Sequence, residues 1–414
     1  MCGIFGYIGQ RKNAGGLVIR GLKNLEYRGY DSWGVAMRLQ DGSIMCEKDI
    51  GKIGAVSPES FMDESSLAIA HSRWATHGGV TKINAHPHFS CDRSVAVIHN
   101  GIIENYAEIR EELKAKGHTF LSETDTEVIP HLIEEELKRK DATLEEATRR
   151  ACVRFTGRFA ILVLDSRTQS LVAARTGSPL IVGVGEGGEY FIASDIPAFL
   201  EYTRTVQYLD DGEMVAVQDG KIRFSDIVSG EDRTKRLVTI DWTVSEAEKG
   251  EYEHYMLKEI MDQKESIRRA VHQDDTEILA VAKSIEQCIG CILTACGTAG
   301  KVCMAADYFF SVVAKRHVNY TPASEFPIFH HFLRPESLIV VVSQSGETAD
   351  VLEAMKVAKA AGSKVLAIVN TQGSSIARAA DYTLLINAGP EKAVASTKAA
   401  TGQMAVLLLI AYAV

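Results

Sequence analysis

The sequence has no apolar run long enough to cross a membrane. The longest, residues 404–414, falls short of the about 20 residues that a membrane-spanning helix needs. The first residues lack the charged segment and apolar core that together mark a secretory signal. No run of like charge forms a tail, and the net charge of −9 argues against a nucleic-acid-binding surface. We therefore expect a cytoplasmic protein that binds neither membranes nor nucleic acid.

The sequence also lacks the spacings that identify common cofactor and metal sites. No G-x-G-x-x-G follows a predicted strand, and Gly300-Lys301 is not followed by the Ser or Thr of a Walker loop. The pair Cys288-Ile-Gly-Cys291 has no second cysteine pair or histidine pair at a zinc-binding spacing. The histidines of the first half lack such a spacing as well: His71, His86, His88 and His99. We expect no metal and no cofactor.

Length and composition predict two or three ordinary globular domains. The 414 residues are 46% hydrophobic and 24% charged, which suits a chain with buried cores. In the first half, short apolar stretches alternate with turn residues, and two segments, 107–116 and 127–140, show helical periodicity. The stretches predicted as strands are 94–99, 158–165, 170–174 and 214–217. This pattern predicts a mixed domain of layered sheets and helices that ends near residue 240.

The second half has a different rhythm. A charged, helix-prone connector, 241–275, precedes three apolar runs, 289–295, 337–342 and 364–370, and each run is followed by a turn rich in Ser, Thr or Gly. Strands that alternate with helices predict a doubly wound parallel sheet, which binds ligands at the carboxyl ends of its strands. Hydroxyls at helix N-termini suit a phosphate, although any one of them could be only an N-cap. The turn richest in hydroxyls, 343–348, predicts a metal-free site for a phosphorylated small molecule.

The beginning of the chain indicates a catalytic group. Cys2 follows the initiator Met1, and methionine is normally removed when a small residue comes next. An N-terminal cysteine carries both a thiol nucleophile and an α-amine that can accept the thiol proton. The alternative is a structural cysteine buried in the first strand.

Ordered motifs along the whole chain are similar to those of known families. Six of them resemble class II glutamine amidotransferase domains: residues 1–6 (MCGIFG), 25–32 (LEYRGYDS), 71–78 (HSRWATHG), 84–88 (NAHPH), 99–105 (HNGIIEN) and 123–127 (ETDTE). Three later motifs resemble the first sugar-isomerase (SIS) domain of the glutamine–fructose-6-phosphate aminotransferase family: 295–298 (ACGT), 343–348 (SQSGET) and 395–398 (ASTK). The resemblance implies an α+β N-terminal-nucleophile domain of αββα layers, followed by an α/β doubly wound, parallel-sheet SIS domain.

The resemblance implies a glutaminase reaction at Cys2. The thiol of Cys2 would attack the side-chain amide of L-glutamine, form a γ-glutamyl thioester and release ammonia. Asn100 and Gly101 would form the oxyanion hole, one with its side-chain amide and the other with its backbone N–H. Taken from the residues alone, Asn100-Gly101 is also the signature of a type I′ hairpin turn.

Five further residues are implied to line the glutamine pocket. Arg73 would bind the α-carboxylate, for which a planar fork of donors is suited, and Asp125 would bind the α-amino group. Thr76 and His77 would complete the lining, and Trp74 would gate the path of ammonia between domains. Without the resemblance, Arg73 and Asp125 could be surface ions and Trp74 a core aromatic residue.

The resemblance also implies a D-fructose 6-phosphate site in the SIS domain. The implied residues, chiefly at the phosphate end of the sugar, are Thr298, Ser343, Gln344, Ser345 and Thr348. Ala299 stands where many relatives have serine, so one phosphate hydroxyl is missing from this set.

The expected domains are a glutaminase at 2–240, a connector at 241–275 and an SIS domain at 276–414, without the family's second SIS domain and C-terminal tail. We expect a homodimer or higher homo-oligomer that makes glucosamine 6-phosphate, with this 414-residue chain keeping glutamine hydrolysis but not full synthesis. One alternative is a sugar-phosphate-binding regulatory module with a vestigial glutaminase. Another is a different class II amidotransferase, for which the ATP- or pyrophosphate-binding signatures are lacking.

Overall fold

The computed structural model describes residues 2–61, 64–241 and 249–414. The chain forms two compact units, Met1–Asp241 and Trp242–Val414. Met1 and part of the predicted connector lie outside the described residues, and the domain boundaries at 240 and 275 stay predictions. No described helix is long and apolar enough to cross a membrane.

The first unit is built on two antiparallel sheets. Its strands are β1 (Gly3–Ile8), β2 (Ser32–Arg38), β3 (Ile44–Ile50), β4 (Leu67–Arg73), β5 (His88–Phe89), β6 (Val95–Ile103), β7 (Gly157–Asp165), β8 (Ser170–Thr176), β9 (Ile181–Val184), β10 (Tyr190–Ala193), β11 (Thr205–Tyr208), β12 (Glu213–Gln218), β13 (Lys221–Asp226), β14 (Asp232–Arg233) and β15 (Val238–Thr239). One sheet has the order β15-β11-β9-β10-β1-β4-β2-β3, and the other has the order β14-β13-β12-β8-β7-β6-β5.

Helices cover the outer faces of both sheets. The helices are α1 (Ala14–Lys23), α2 (Tyr106–Ala115), α3 (Val128–Leu137) and α4 (Leu144–Val153). One core lies between the sheets and joins Ile4 and Ile8 of β1 to Leu162 of β7. A second core lies between the sheet that contains β6 and the helices α2 to α4. The helix α1 packs on β1 and β4 of the other sheet. The predicted αββα layering is therefore confirmed.

The second unit contains a parallel sheet of five strands. They are β16 (Gly290–Ala295), β17 (Asn319–Pro322), β18 (Ser337–Ser343), β19 (Lys364–Val369) and β20 (Tyr382–Leu385). The sheet has the order β17-β16-β18-β19-β20, and every neighbouring pair is parallel. The chain first adds a strand on one side of β16 and then continues on the other, so the order reverses between β16 and β18. Such a reversal leaves a crevice at the carboxyl ends of the two strands.

Helices lie on both faces of this sheet. They are α5 (Tyr255–Met261), α6 (Gln263–Val271), α7 (Asp275–Gln287), α8 (Gly297–Phe309), α9 (Ala349–Ala360), α10 (Ser375–Ala379) and α11 (Lys398–Ala413). One face carries α6, α7, α8 and α11 over a common core, and the opposite face carries α9 and α10. The predicted doubly wound sheet is confirmed.

We predict that Gly21→Ala destabilises the first unit. A Cβ at Gly21 in α1 would lie 2.2 Å from a ring carbon of Phe5 and 2.5 Å from the carbonyl oxygen of Ala198. The gain in helix propensity, about 1 kcal/mol, is smaller than the cost of overpacking, about 1–3 kcal/mol. Urea unfolding followed by the fluorescence of the buried Trp33 should show a lower midpoint.

Gly290→Ala is the matched control for this change, because a Cβ at Gly290 would meet no atom within 4 Å. An unchanged midpoint in the Gly21 variant would contradict the packing described for α1.

Candidate active site

A cavity of about 310 Å³ opens in the first unit where β1 begins. All eight residues predicted for the glutamine site line it: Cys2, Arg73, Trp74, Thr76, His77, Asn100, Gly101 and Asp125. They come from the start of the chain, from the end of β4 and the loop after it, from β6 and from the loop before α3. Strand pairing brings these distant segments together, because β1 pairs with β4.

Cys2 lies at the wall of the cavity, half-buried and just outside β1. Its Sγ accepts a hydrogen bond from the backbone N–H of Trp74 at 3.1 Å, and lies 3.5 Å from the Trp74 carbonyl oxygen. Burial raises the pKa of the Cys2 thiol above its ordinary value. The thiol alone is therefore protonated near neutral pH, and a nucleophilic role needs a base close to it.

The side-chain amide of Asn100 is fixed toward Cys2. Its Nδ2 donates to the Cys2 carbonyl oxygen at 2.8 Å. Its Oδ1 lies 3.0 Å from Nε2 of His71, which is also 3.0 Å from the carbonyl oxygen of His99. Because both neighbours of this ring nitrogen are acceptors, we assign the hydrogen to Nε2. His71 thereby holds the amide with its NH₂ group on the cavity side.

Asn100 and Gly101 do not form the hairpin turn that the sequence alternative suggested. Both lie inside β6, where they pair with Ala160 and Phe159 of β7. Gly101 has φ +127°, and a Cβ there would lie 1.9 Å from the carbonyl oxygen of Arg158. The position therefore requires glycine because of this close backbone approach, and not because the chain reverses there.

Arg73 and Asp125 are held by backbone groups at the cavity wall. The guanidinium of Arg73 donates to the carbonyl oxygen of Gly79 at 3.1 Å and also to the carbonyl oxygen of His77. Asp125 Oδ2 accepts the backbone N–H of Ile103 at 2.8 Å. Neither side chain is a surface ion, since Arg73 and Asp125 are both buried. Their positions are therefore set before any ligand binds.

The remaining predicted residues form the rim. Trp74 is 38% exposed and contacts the ring of Tyr30, with 5.4 Å between ring centroids, so it is not a core aromatic residue. Nε2 of His77 lies 3.3 Å from the hydroxyl of Tyr106.

In the second unit, the residues predicted for the sugar site lie at the carboxyl ends of β16 and β18. Thr298 is in the first turn of α8, directly after β16. Ser343 ends β18, and its Oγ lies 2.9 Å from the hydroxyl of Thr348, just before α9. The backbone N–H of Gly346 donates to Ser343 Oγ at 3.0 Å. These groups therefore lie at the strand ends between which the strand order reverses.

The hydroxyl of Thr348 is not used as a helix cap. Within the part of the chain that the structure describes, its side chain makes no capping hydrogen bond to α9. Gly346 has φ +67°, and a Cβ there would lie 1.9 Å from Ser374 Oγ, so the turn closes only with glycine. Ala299 packs partly buried against the core. The turn therefore carries a hydroxyl, that of Thr348, which does not cap the helix.

Comparison with known proteins identifies a domain in each half of the chain. A family model described as a glutamine amidotransferase domain matches residues 71–201, and one described as an SIS domain matches residues 284–413. Glutamine–fructose-6-phosphate aminotransferase [isomerizing] of Pyrococcus horikoshii is 45% identical to the chain, over 99% of this chain and 69% of that protein. The proteins of the same name from Methanothermobacter thermautotrophicus and Thermus thermophilus are 45% and 41% identical, over 99% of this chain and 69% and 68% of theirs.

The chain belongs to the glutamine–fructose-6-phosphate aminotransferase family.

Several residues of this family member near the cavity were not predicted. The cavity is also lined by Arg28, His86, His99, Ile102, Thr124, Thr126, Ser178 and Pro179. Thr124 and Thr126 flank Asp125 in one motif, so the motif itself could have indicated them. His71 orients Asn100, and although both lie in the family motifs, the sequence does not show their contact because the two positions are 29 residues apart.

We predict that the first unit loses stability as the pH falls below about 6.5, the ordinary pKa of histidine. Burial lowers the pKa of four histidines, that of His71 to about 3: His71, His86, His88 and His99. Below about pH 6.5 the unfolded chain binds protons at these histidines and the folded chain does not, so acid favours unfolding. Each histidine lowers the free energy of unfolding by up to about 1.4 kcal/mol per pH unit below its pKa in the unfolded chain.

Urea unfolding between pH 7.5 and 5.5, followed by Trp33 fluorescence, measures this slope. His330→Gln is a suitable control, because His330 is exposed and its loss should leave the slope unchanged. A free energy of unfolding that is constant over this range would contradict the prediction.

Proposed function

We propose that this chain hydrolyses L-glutamine and serves the glutamine-dependent amination and isomerisation of D-fructose 6-phosphate to glucosamine 6-phosphate. The glutaminase domain would span residues 2–240, the connector 241–275 and the SIS domain 276–414. The single observation that carries the proposal is the cavity in which the Cys2 thiol, the Asn100 amide and the Arg73 guanidinium meet. The alternative of a regulatory module with a vestigial glutaminase is not favoured, because all the residues predicted for the glutaminase reaction line this one cavity.

The first step is attack of Cys2 Sγ on the side-chain amide carbon of L-glutamine. An ordinary α-amine has a pKa of about 7.7–8.0, so once Met1 is removed the α-amine of Cys2 can act as a base near neutral pH. It accepts the thiol proton, which the raised pKa of the Cys2 thiol would otherwise retain. A C–S bond forms, and the electron pair of the carbonyl bond moves to oxygen.

The oxyanion is stabilised by the Asn100 amide and the Gly101 backbone N–H. The orientation that His71 imposes on Asn100 supports this role, because the donor side of the amide faces Cys2. When the intermediate collapses, the C–N bond breaks and the α-ammonium returns its proton to the departing nitrogen, which leaves as ammonia. Water then attacks the thioester, the C–S bond breaks and L-glutamate is released. The two donors, on Asn100 and Gly101, would stabilise the oxyanion without rearranging, because they are fixed before it forms.

The α-groups of glutamine determine its orientation. Arg73 would bind the α-carboxylate through donors not used by the carbonyls of Gly79 and His77, and Asp125 would bind the α-ammonium. Thr76 and His77 would line the pocket around the side chain. Trp74, on the exposed rim, would gate the exit of ammonia toward the sugar.

The sugar phosphate would bind at the crevice of the second unit. Ser343, Ser345 and Thr348 offer hydroxyls beside the N-terminus of α9, where backbone N–H groups and the helix dipole favour an anion. Thr298 would contribute from the neighbouring strand end, and Gln344 from the same turn. The backbone N–H groups of the turn would replace the hydroxyl that Ala299 lacks.

We further propose, on the family resemblance, that the chain acts as a homodimer or higher homo-oligomer in the cytoplasm. Light scattering on the purified chain measures the first of these properties.

Cys2→Ala should abolish the release of glutamate from glutamine, since no other group of the cavity can form the thioester. Cys46→Ala is the matched control, because Cys46 lies on β3 and does not line the cavity. A coupled glutamate dehydrogenase assay measures the rate, and intact mass spectrometry tests whether Met1 is removed. Undiminished hydrolysis in the Cys2 variant would rule out the mechanism.

Asn100→Ala should lower kcat for glutamine hydrolysis by about 100–1000-fold, the usual cost of one oxyanion-hole donor, with little change in KM. The amide stabilises the negative charge that develops in the transition state and does not hold the bound substrate. Its loss therefore lowers kcat and leaves KM nearly unchanged. Arg73→Ala should do the opposite and chiefly raise KM. A variant of Asn100 in which only KM changes would show that the amide serves substrate binding instead.

Glutamine hydrolysis measured with and without fructose 6-phosphate tests the link between the two sites. We expect the sugar to accelerate hydrolysis. Calorimetry run in parallel distinguishes the alternatives: binding of the sugar phosphate without any hydrolysis would favour the regulatory module.

A further inference from the structure

Four metal-ligating side chains converge in the first unit, outside the cavity described above. They are Cys91, His118, His131 and Glu134, and one ligand atom from each lies within 4.8 Å of the others. Cys91 is in the loop after β5, His118 follows α2, and His131 and Glu134 share one face of α3 three residues apart. Three separate segments of the chain therefore supply the group.

Five of the six distances between ligand atoms in this cluster are close to those of a tetrahedral site, and the sixth, between Cys91 and Glu134, is within 4.8 Å. Cys91 Sγ lies 3.5 Å from His118 Nδ1 and 3.4 Å from His131 Nδ1, and the two nitrogens are 3.2 Å apart. Glu134 Oε2 lies 3.3 Å from His118 Nδ1 and 3.7 Å from His131 Nδ1. Tetrahedral zinc with ordinary Zn–N, Zn–O and Zn–S bonds separates its ligand atoms by about 3.3–3.6 Å.

The outer nitrogens of both rings face carboxylates. His118 Nε2 lies 2.8 Å from Glu135 Oε1, and His131 Nε2 lies 3.8 Å from Glu127 Oε1. The 2.8 Å contact is a hydrogen bond to a carboxylate, which places the hydrogen of the His118 ring on Nε2 and leaves a lone pair on its Nδ1. The 3.8 Å contact of His131 is too long to be a hydrogen bond. Nδ1 of His118 lies within 3.5 Å of His131 Nδ1, Cys91 Sγ and Glu134 Oε2. A shared proton would satisfy only the nitrogens, whereas a cation satisfies all four ligands.

We infer that Cys91, His118, His131 and Glu134 bind a zinc ion. A thiolate, two imidazoles and a carboxylate in tetrahedral spacing suit zinc, while magnesium and calcium prefer oxygen ligands alone. The carboxylate of Glu135 behind His118 fixes the tautomer of that ring, as is usual for histidine bound to a metal. Both histidines are buried, and Cys91 is exposed, so an ion can enter from the surface.

The zinc ion would position a wall of the glutamine cavity. His118 and His131 flank the segment that carries Thr124, Asp125 and Thr126, and Cys91 ties this segment to the loop between β5 and β6. All four ligands come from the protein, which is typical of a structural site and not of a catalytic one. His118, His131 and their partners therefore act as positioning residues, and this consequence rests on the proposed function.

Metal analysis of the full chain tests the site directly. The purified protein is incubated with zinc, desalted and measured by inductively coupled plasma mass spectrometry. We expect one zinc ion per chain in the unaltered protein and at least a tenfold weaker affinity in Cys91→Ser, which alters an exposed side chain and should fold normally. Cys46→Ser is the control and should keep its zinc. An unaltered protein without zinc, or a Cys91 variant that binds it equally well, would overturn the inference.

Substitution of Co²⁺ for zinc and steady-state kinetics provide two further tests of the site. Co²⁺ should show a thiolate-to-cobalt charge-transfer band that Cys91→Ser lacks, and a band that survives in this variant would exclude Cys91 as a ligand. Removal of zinc should raise KM for glutamine more than it lowers kcat, because Asp125 binds substrate. An unchanged KM would refute the positioning role. Zinc content is measured without turnover, so failure of the glutaminase reaction would leave the test of the site intact.

Discussion

The antiparallel pairing of β1 with β4 is the constraint on which the candidate site depends. The register sets Gly3 opposite Ser72, so the residue before β1 comes to lie beside the end of β4. Cys2 thereby reaches the backbone of Trp74, and the Asn100 amide of the facing sheet reaches the Cys2 carbonyl. A slip of one residue in this register would turn Ile4 and Ile8 away from the core between the sheets. The packing of the core and the geometry of the candidate site therefore require the same register of β1 and β4.

The sequence predicts the elements well where the apolar residues form a continuous run or a helical period. The apolar run 289–295 corresponds to β16 (Gly290–Ala295), and the periodic segment 107–116 corresponds to α2 (Tyr106–Ala115), each within one residue. Local chemistry misleads at Asn100-Gly101, because the same dipeptide suits a hairpin turn and a strand in close contact with its neighbour. The choice between them is made by Arg158 on β7, whose carbonyl leaves no room for a Cβ.

Side-chain clusters assembled by the fold are beyond such reasoning. The sequence analysis weighed His71, His86, His88 and His99 as metal ligands and expected no metal, and the structure shows their rings stacked or tilted on one another near the cavity. The proposed zinc ligands Cys91 and His118 are 27 residues apart, and the distance is closed only when α2 and α3 pack on the same sheet. The spacing of these residues in the sequence does not match a known metal-binding motif, so the sequence alone does not indicate the cluster. The roles assigned to the eight cavity residues came from the family motifs, and they stay predictions.

The position of Cys2 also governs how the protein can be handled and redesigned. Cys2 lines the cavity wall directly before β1. Under the proposed mechanism, an affinity tag or fluorescent partner fused ahead of Cys2 would convert the α-amine, the proposed base, to an amide. Any such fusion would have to be cleaved directly before Cys2, so the protease must be one that leaves Cys2 as the first residue.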